Sequence, residues 1–377
     1  MQEVIRLLNA IEEAKAAGKS AAIATVVRVK GSAYRREGTK MLIDAEGNQV
    51  CMISGGCLEQ EVGEIAKRVL ETGESVVQFF DLEEDLVWGL GLGCGGAVDV
   101  YIEPFDDGEE NAAWLDTVKG QKAGALATVI NINKGDLKND ARMFISSKGE
   151  TLGSLGDASL NKELVNFAQE KMKQLYPRSE TKVFSSSAGS AEVFLDVNVP
   201  PPELVIFGAG HDAIPLANYA HDLGFQTTIV DARHAFVTEE RFPHATLIRT
   251  HPSGFADKVE IGPRSYVVVM NHHLERDKES LAFALETSAP YIGALGPSSR
   301  FQDMVKALKD EGRPLSSEAL TRVRNPIGLD VGADTPEEIA VSIMAELIAV
   351  RGGYRGGFLN DRSGPIHTDR TRDPATV

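Results

Sequence analysis

The apolar positions of this chain change period in an ordered way. Ala21 to Val29, Lys40 to Asp44 and Gln49 to Ile53 are short hydrophobic runs rich in β-branched residues, the pattern of strands. From Leu58 to Leu70 apolar residues recur every three or four positions, which predicts an amphipathic helix. The same order then returns: Met41–Gly47 through Cys57–Glu61 aligns without gaps on Met143–Gly149 through Ser159–Glu163, and Ala127-Thr128-Val129 sits ahead of the second block as Ala24-Thr25-Val26 sits ahead of the first. The N-terminal half therefore reads as two related units, about 1–106 and about 107–198, each a strand-strand-helix repeat. After Pro200-Pro201-Pro202, stiff punctuation, a new rhythm begins. A strand over Glu203 to Phe207, a glycine turn, a helix to about Leu223 and a second strand over Gln226 to Val230 are predicted, with further short strands over Ser265 to Met270 and Pro290 to Gly296. Thr335-Pro336-Glu337-Glu338 is a capping box that starts a last helix towards Arg351. The expected fold is α/β: an N-terminal α+β domain over 1–198 carrying the duplicated unit, a Rossmann-like doubly wound parallel sheet over 199–351, and a mobile polar tail over 352–377.

Composition narrows the function more than the fold. With 377 residues, 42% of them hydrophobic, the chain can bury two or three cores. No stretch approaches the roughly 18 apolar residues of a membrane span, and Met1-Gln2-Glu3 opens a polar helix where a signal peptide would need a basic and then apolar start, so the cytoplasm is the expected location. A net charge of −16 argues against duplex nucleic acid or an anionic membrane as partner. Three cysteines without framework spacing fit reduced thiols, and no CxxC or Cys/His array supports a protein-only metal site.

Two of those cysteines stand at glycine-lined bends, Ser54-Gly55-Gly56-Cys57 and Gly93-Cys94-Gly95-Gly96, where backbone N–H groups and a thiol can approach one ligand. Cys57 falls next to the predicted helix start, where unpaired N–H groups favour a thiolate, although Glu59 and Glu61 oppose it. The alternative is a tight turn with an incidental cysteine. Cys51, inside Gln49-Val50-Cys51-Met52-Ile53, reads as a buried structural residue. In the second unit Ser159 replaces Cys57, which places the chemistry in the first. Between the first two strands Arg35 and Arg36 form a basic patch whose guanidinium forks suit a phosphate, with a solvated hairpin loop as the plainer reading. Cys57 and Cys94 are expected to converge on one cleft with Arg35 or Arg36 at its rim.

In the C-terminal half Gly208-Ala209-Gly210-His211-Asp212-Ala213 lies between a strand and a helix, and Asp231 ends the next strand, which is the dinucleotide fingerprint in its expected setting. Pro215, read as lying in the second helical turn, removes a hydrogen bond there, and Arg233 beside Asp231 biases the site towards a phosphorylated ribose or a different ligand. His272, His273, Asp277, Gly296 and Arg300 follow predicted strands and are candidates at the carboxyl edge of the sheet, where a histidine is as readily a satisfied strand terminus.

The set Gly31-Ser32, Arg35, Gly38, Ser54–Glu59, Cys94-Gly95-Gly96, Gly208–His211, Asp231-Ala232-Arg233, Arg241-Phe242-Pro243, Tyr291-Ile292-Gly293, Pro326–Leu329 and Thr335–Ala340 resembles the XdhC/CoxI family. That resemblance implies an accessory factor that binds molybdenum cofactor (molybdopterin), supports its sulfuration with a cysteine desulfurase and inserts it into xanthine dehydrogenase or a related molybdenum hydroxylase. Its cofactor residues would be Arg35, Arg36, Ser54, Gly55, Gly56, Cys57, Cys94, Gly95, Gly96, Gly208, Gly210, His211, Asp231, His272 and Arg300, and the assembly a homodimer. Gly296-Pro297-Ser298-Ser299-Arg300 and Asn271-His272-His273 depart from the family's usual Gly-Ser-Arg-Arg and Thr-His-Asp. Two other classes remain open: an NAD(P)-dependent oxidoreductase using the Rossmann site, and a redox sensor with a Cys57–Cys94 disulfide.

Overall fold

One order of elements occurs twice before Pro200: helix, three strands, helix, two strands. The first copy comprises α1 (Gln2–Ala16), β1 (Ala21–Gly31), β2 (Lys40–Asp44), β3 (Gln49–Val50), α2 (Glu59–Thr72), β4 (Val76–Asp81) and β5 (Gly96–Pro104). The second comprises α3 (Glu109–Lys119), β6 (Gly124–Gly135), β7 (Arg142–Ser146), β8 (Thr151–Gly153), α4 (Ala158–Met172), β9 (Glu180–Ser186) and β10 (Gly189–Asn198). Each copy is an antiparallel five-stranded sheet of the same topology, β3-β2-β1-β5-β4 and β8-β7-β6-β10-β9. The coordinates come from a computed structural model and describe residues 2–31, 33–81, 96–187 and 189–361. They divide into two units, one running to Pro200 and the other from Pro201 to Phe358.

Alternation along β1 explains why its sequence shows no polar face. Ala22, Ala24 and Val26 pack with Val62, Ile65, Ala66 and Val69 of α2, whereas Ala21 and Ile23 pack with Leu7 and Ile11 of α1. α4 covers its own sheet in the same way with Leu160, Leu164 and Ala168. Each such Val, Ile or Leu contributes about 1.5–3 kcal/mol by leaving water. The remaining sheet surface is buried by the other copy. Val27 and Tyr101 form a separate cluster with Ile130 and Phe194, and the register makes these matching residues: Thr25 lies opposite Tyr101 as Thr128 lies opposite Phe194. Ion pairs follow the same exchange. Lys40 Nζ meets Asp196 at 2.8 Å, while Arg142 is bound to Glu103. Lys40 and Arg142 stand opposite the two threonines, and Glu103 and Asp196 opposite Ile23 and Leu126. Such reciprocity is the mark of an isologous interface, here inside one chain.

From Pro201 onward the strands are parallel. β11 (Glu203–Phe207), α5 (Ala213–Asp222), β12 (Gln226–Asp231), β13 (Ala245–Arg249), α6 (Phe255–Lys258), β14 (Ser265–Val269), α7 (Leu274–Leu285), β15 (Tyr291–Ala294), α8 (Ser298–Asp310), α9 (Ser317–Leu320), β16 (Val323–Arg324) and α10 (Pro336–Gly352) follow in order. The sheet runs β13-β12-β11-β14-β15-β16, the 3-2-1-4-5-6 order of a Rossmann fold. α5 and α10 cover one face through Leu216, Ala217, Ile343 and Leu347, and α7 and α8 the other through Leu281, Leu285 and Met304. β14 is buried at every position, as a strand between two helical layers must be. The Thr335 hydroxyl and Glu338 carboxylate form the expected capping box.

Three local expectations are corrected. β3 stops at Val50, because Cys51 takes φ 69 and leaves the extended region. α2 begins at Glu59, one residue after the predicted Leu58. Pro215 falls in the first turn of α5, where its missing N–H would have had no intrahelical partner, so no ladder bond is lost. Residues 362–377 of the expected mobile tail lie outside the described residues.

The ion pairs between the copies can be ranked. Arg142→Met should cost about 3 kcal/mol in urea denaturation, because it strands the Glu103 charge, and adding Glu103→Gln should recover part of the loss. Lys40→Met should cost less, since Asp196 keeps the Ser179 hydroxyl at 2.8 Å.

Candidate functional site

The turn before α2 is built around one hydroxyl and one carboxylate. Ser54 Oγ accepts the N–H groups of Gly56 (3.2 Å), Cys57 (3.1 Å) and Leu58 (3.1 Å), and gives its own proton to Glu59. Glu59 also accepts N–H groups from Ile53 (3.1 Å), Ser54 (2.8 Å) and Leu58 (3.1 Å). Burial alone would raise the Glu59 pKa, but the bonds from Ser54 and the backbone hold it below the usual carboxylate range. In the second copy Asn161 occupies the place of Glu59 and accepts Leu155 N–H at 3.0 Å. There the helix starts at Ala158, so Ser159 lies inside it; Gly55-Gly56 delays the start of α2 and leaves Cys57 outside. The N–H groups of Gly56, Cys57 and Leu58, which precede α2, are therefore bonded to Ser54. Cys57 is half-buried against the first core, and Gly56, at φ 106, has open space where a side chain would go.

The neighbouring basic loop divides. The Tyr34 ring lies 4.0 Å from where a Cβ on Gly55 would stand, which brings this loop beside the Cys57 turn. Arg35 binds Glu3 of α1 through Nη1 (3.0 Å) and Nη2 (2.5 Å) and lies over Tyr34. Arg36 instead lines a cavity of about 690 Å³, to which Ser54, Gly55, Gly56 and Cys57 do not contribute. Cys51 is half-buried rather than enclosed and donates its S–H to Glu3 O at 3.4 Å. Burial, and then the Glu3 charge, push its pKa up, so it is held as a thiol. Gly96 pairs with Gly31 across β5 and β1, at the base of the basic loop. Cys94 and Gly95 lie outside the described residues, as does their expected meeting with Cys57.

At the carboxyl edge of the parallel sheet, the first βα turn is tightly occupied. Gly208 has φ 119, and a side chain there would collide with the Met270 carbonyl, so only glycine lets this loop pass the end of β14. His272 Nε2 meets Asp212 at 2.6 Å beside Gly210. The Asp231 side chain has no solvent exposure. It accepts N–H groups from Ala209 (2.9 Å) and Arg233 (2.9 Å) and is clasped by the Arg233 guanidinium at 2.5 Å. Burial acts to raise the Asp231 pKa, and these donors outweigh it and hold the carboxyl low. Gly208, Gly210, Asp231 and His272 thus converge. His211 sets its ring 6.3 Å from Phe236, while Arg300 binds Asp277 (2.6 Å), which also accepts Asn271 N–H (2.8 Å). Arg241, not among the expected site residues, donates to the carbonyls of Ala209 (3.0 Å) and Gly210 (3.2 Å) and fixes the glycine turn. Its only sequence signal was membership of the Arg241-Phe242-Pro243 motif, because no local spacing links it to residues about thirty positions earlier.

Residues 14–81 match the XdhC and CoxI family model, and residues 204–347 match the XdhC Rossmann domain. The chain is 32% identical over 339 residues to a probable xanthine dehydrogenase subunit of Bacillus subtilis (strain 168), covering 88% of this chain and 94% of that one. It is 22% identical over 352 residues to the molybdenum cofactor insertion chaperone PaoD of Escherichia coli (strain K12), covering 92% and 88%. A crystal structure from Bacillus halodurans, described as that of a xanthine dehydrogenase, matches with a TM-score of 0.70 and 30% identity over 92% of this chain and 96% of that one.

Glu59→Gln should destabilise the N-terminal unit by about 2 kcal/mol at pH 7, the scale of lost charge-assisted bonds. Because the folded-state pKa is depressed, the Glu59 contribution is present above the unfolded value near 4.3 and is lost as pH falls through the folded one. The gap between variant and wild type in urea denaturation should therefore narrow on acidification below about pH 4.

Proposed function

Because the chain belongs to the XdhC and CoxI family, we propose that it is an accessory factor that binds molybdenum cofactor, supports its sulfuration and inserts it into xanthine dehydrogenase or a related molybdenum hydroxylase. The cofactor is cargo here, and a cysteine desulfurase is the proposed source of its sulfur. The observation that carries the reading is the position of Cys57: a half-buried thiol held outside a helix, beside an open glycine, by a hydrogen-bonded Ser54–Glu59 frame. A thiol so placed fits a soft metal centre, and the rigid frame lets it be presented without reorganisation. Bound, the cargo would supply the molybdenum and dithiolene that a hydroxylase needs. Cys57 would hold the metal end, with Tyr34 and Gly56 bordering the position.

The Rossmann unit is read as a scaffold and docking element of a homodimer. A dinucleotide needs a free acid for the ribose hydroxyls, whereas Asp231 already accepts from Ala209 and Arg233. Asp212, at the start of α5, also sets a carboxylate where a pyrophosphate would sit. Titration with NAD, NADP and FAD should accordingly show no binding tighter than about 1 mM; micromolar binding of any of them would favour the oxidoreductase reading.

Cys57→Ser should lower the molybdenum cofactor retained on purified protein by about tenfold or more, while Cys51→Ser changes it little. Equal losses would remove Cys57 from the site. In reconstitution, an apo-hydroxylase should gain more activity from cofactor supplied with this protein than from free sulfurated cofactor; equal gains would refute the insertion role.

A further inference from the structure

We propose that the cavity between the two copies of the N-terminal unit binds an amphipathic organic anion, with the anion on Arg36 and Arg178 and its apolar body between α1 and α3. The cavity, about 690 Å³, is of small-molecule size. Leu7 and Ile11 of α1 and Trp114 and Leu115 of α3 wall it, and Phe194 closes one side. Nothing in the Cys57 turn lines it, so the inference stands apart from the cofactor reading.

Unmet donors in the lining point to an anion. Nε and Nη2 of Arg36 are shut off from solvent and have no hydrogen-bond partner among the described residues. Two guanidinium nitrogens shut off from water with unmet donors are costly, and a ligand that accepts from them would remove that cost. The carboxylates that line the cavity are already engaged: Glu3 by Arg35, Glu37 by Val29 N–H, Glu103 by Arg142, Asp106 by Gly108 N–H and Asp196 by Lys40. Arg178 enters the same lining, and its side chain forms no ion pair among the described residues. The other copy supplies an internal control. Lys138 occupies the place of Arg36 in the matching turn, where Thr39 N–H bonds Arg36 O as Ala141 N–H bonds Lys138 O. That lysine is exposed, and its turn is closed by Asp140, which accepts the hydroxyls of Ser75 (2.6 Å) and Tyr101 (2.7 Å). Of these two matching turns, the first directs its cation into the cavity and the second directs it to solvent.

The test is calorimetric titration of the full chain with three probes: octanoate, octan-1-ol and inorganic phosphate. Octanoate should bind at one site per chain, with the neutral alcohol and the bare anion each weaker by about tenfold or more, the effect expected of a charge-assisted bond joined to apolar burial. Arg36→Met should fold, because it removes a charge that has no partner to lose, and should erase the preference for octanoate over octan-1-ol. Phosphate or octan-1-ol binding as tightly as octanoate would overturn the proposal, as would an unchanged preference in Arg36→Met. Should that variant fail to fold, Arg178→Gln and the cavity-filling Leu115→Trp decide: loss of octanoate binding in both supports the site, and survival in either refutes it.

Discussion

The N-terminal unit depends on one packing relation, the burial of each repeat's outer sheet surface by the other. An antiparallel sheet has two faces: α2 or α4 covers one, and in the first copy α1 covers only the part of the other around Ala21 and Ile23. Val27, Tyr101, Ile130 and Phe194 close the second across the internal two-fold, and the reciprocal pairs Lys40–Asp196 and Arg142–Glu103 fix its register. A single repeat would expose that apolar surface and strand those charges. The duplication is therefore structural, a dimer interface folded into one chain.

Symmetry of that kind frees one copy to diverge. In the second copy Asp157 caps α4 through Leu160 N–H at 2.8 Å, the ordinary solution for a helix start. The first copy has no side-chain cap at α2; Ser54 and Glu59 instead bind the N–H groups of the turn before it, whose two glycines leave Cys57 outside the helix. The same divergence shows in the loops, where Arg36 turns inward and Lys138 outward. Both differences distinguish the first copy: Cys57 stands just outside its helix and Arg36 lines the cavity.

In the parallel unit the side chains around the fingerprint are extensively bonded to one another. Gly208 remains because the end of β14 leaves no room for a side chain. Asp231 ends the second strand as the fingerprint requires, Arg233, two residues on, clasps its carboxylate, and Arg241 ties down the turn carbonyls. The strand order and glycine turn are conditions of the fold; they do not by themselves create a nucleotide site.

Much of this was legible in the residues alone. Periodicity showed the strands, the helices and the duplication, because apolar faces must repeat with the geometry of the element that buries them. The capping box at Thr335 and the fingerprint at Gly208 were equally local and equally clear. The sequence by itself determined which thiol stands beside glycines and that a βαβ turn follows Pro200. Only the tertiary structure decided that Ser54 consumes the N–H groups beneath Cys57, that Arg35 goes to Glu3 while Arg36 faces a cavity, and that Asp231 is already occupied. Those outcomes turn on which side chains meet across distances in sequence that no local pattern records.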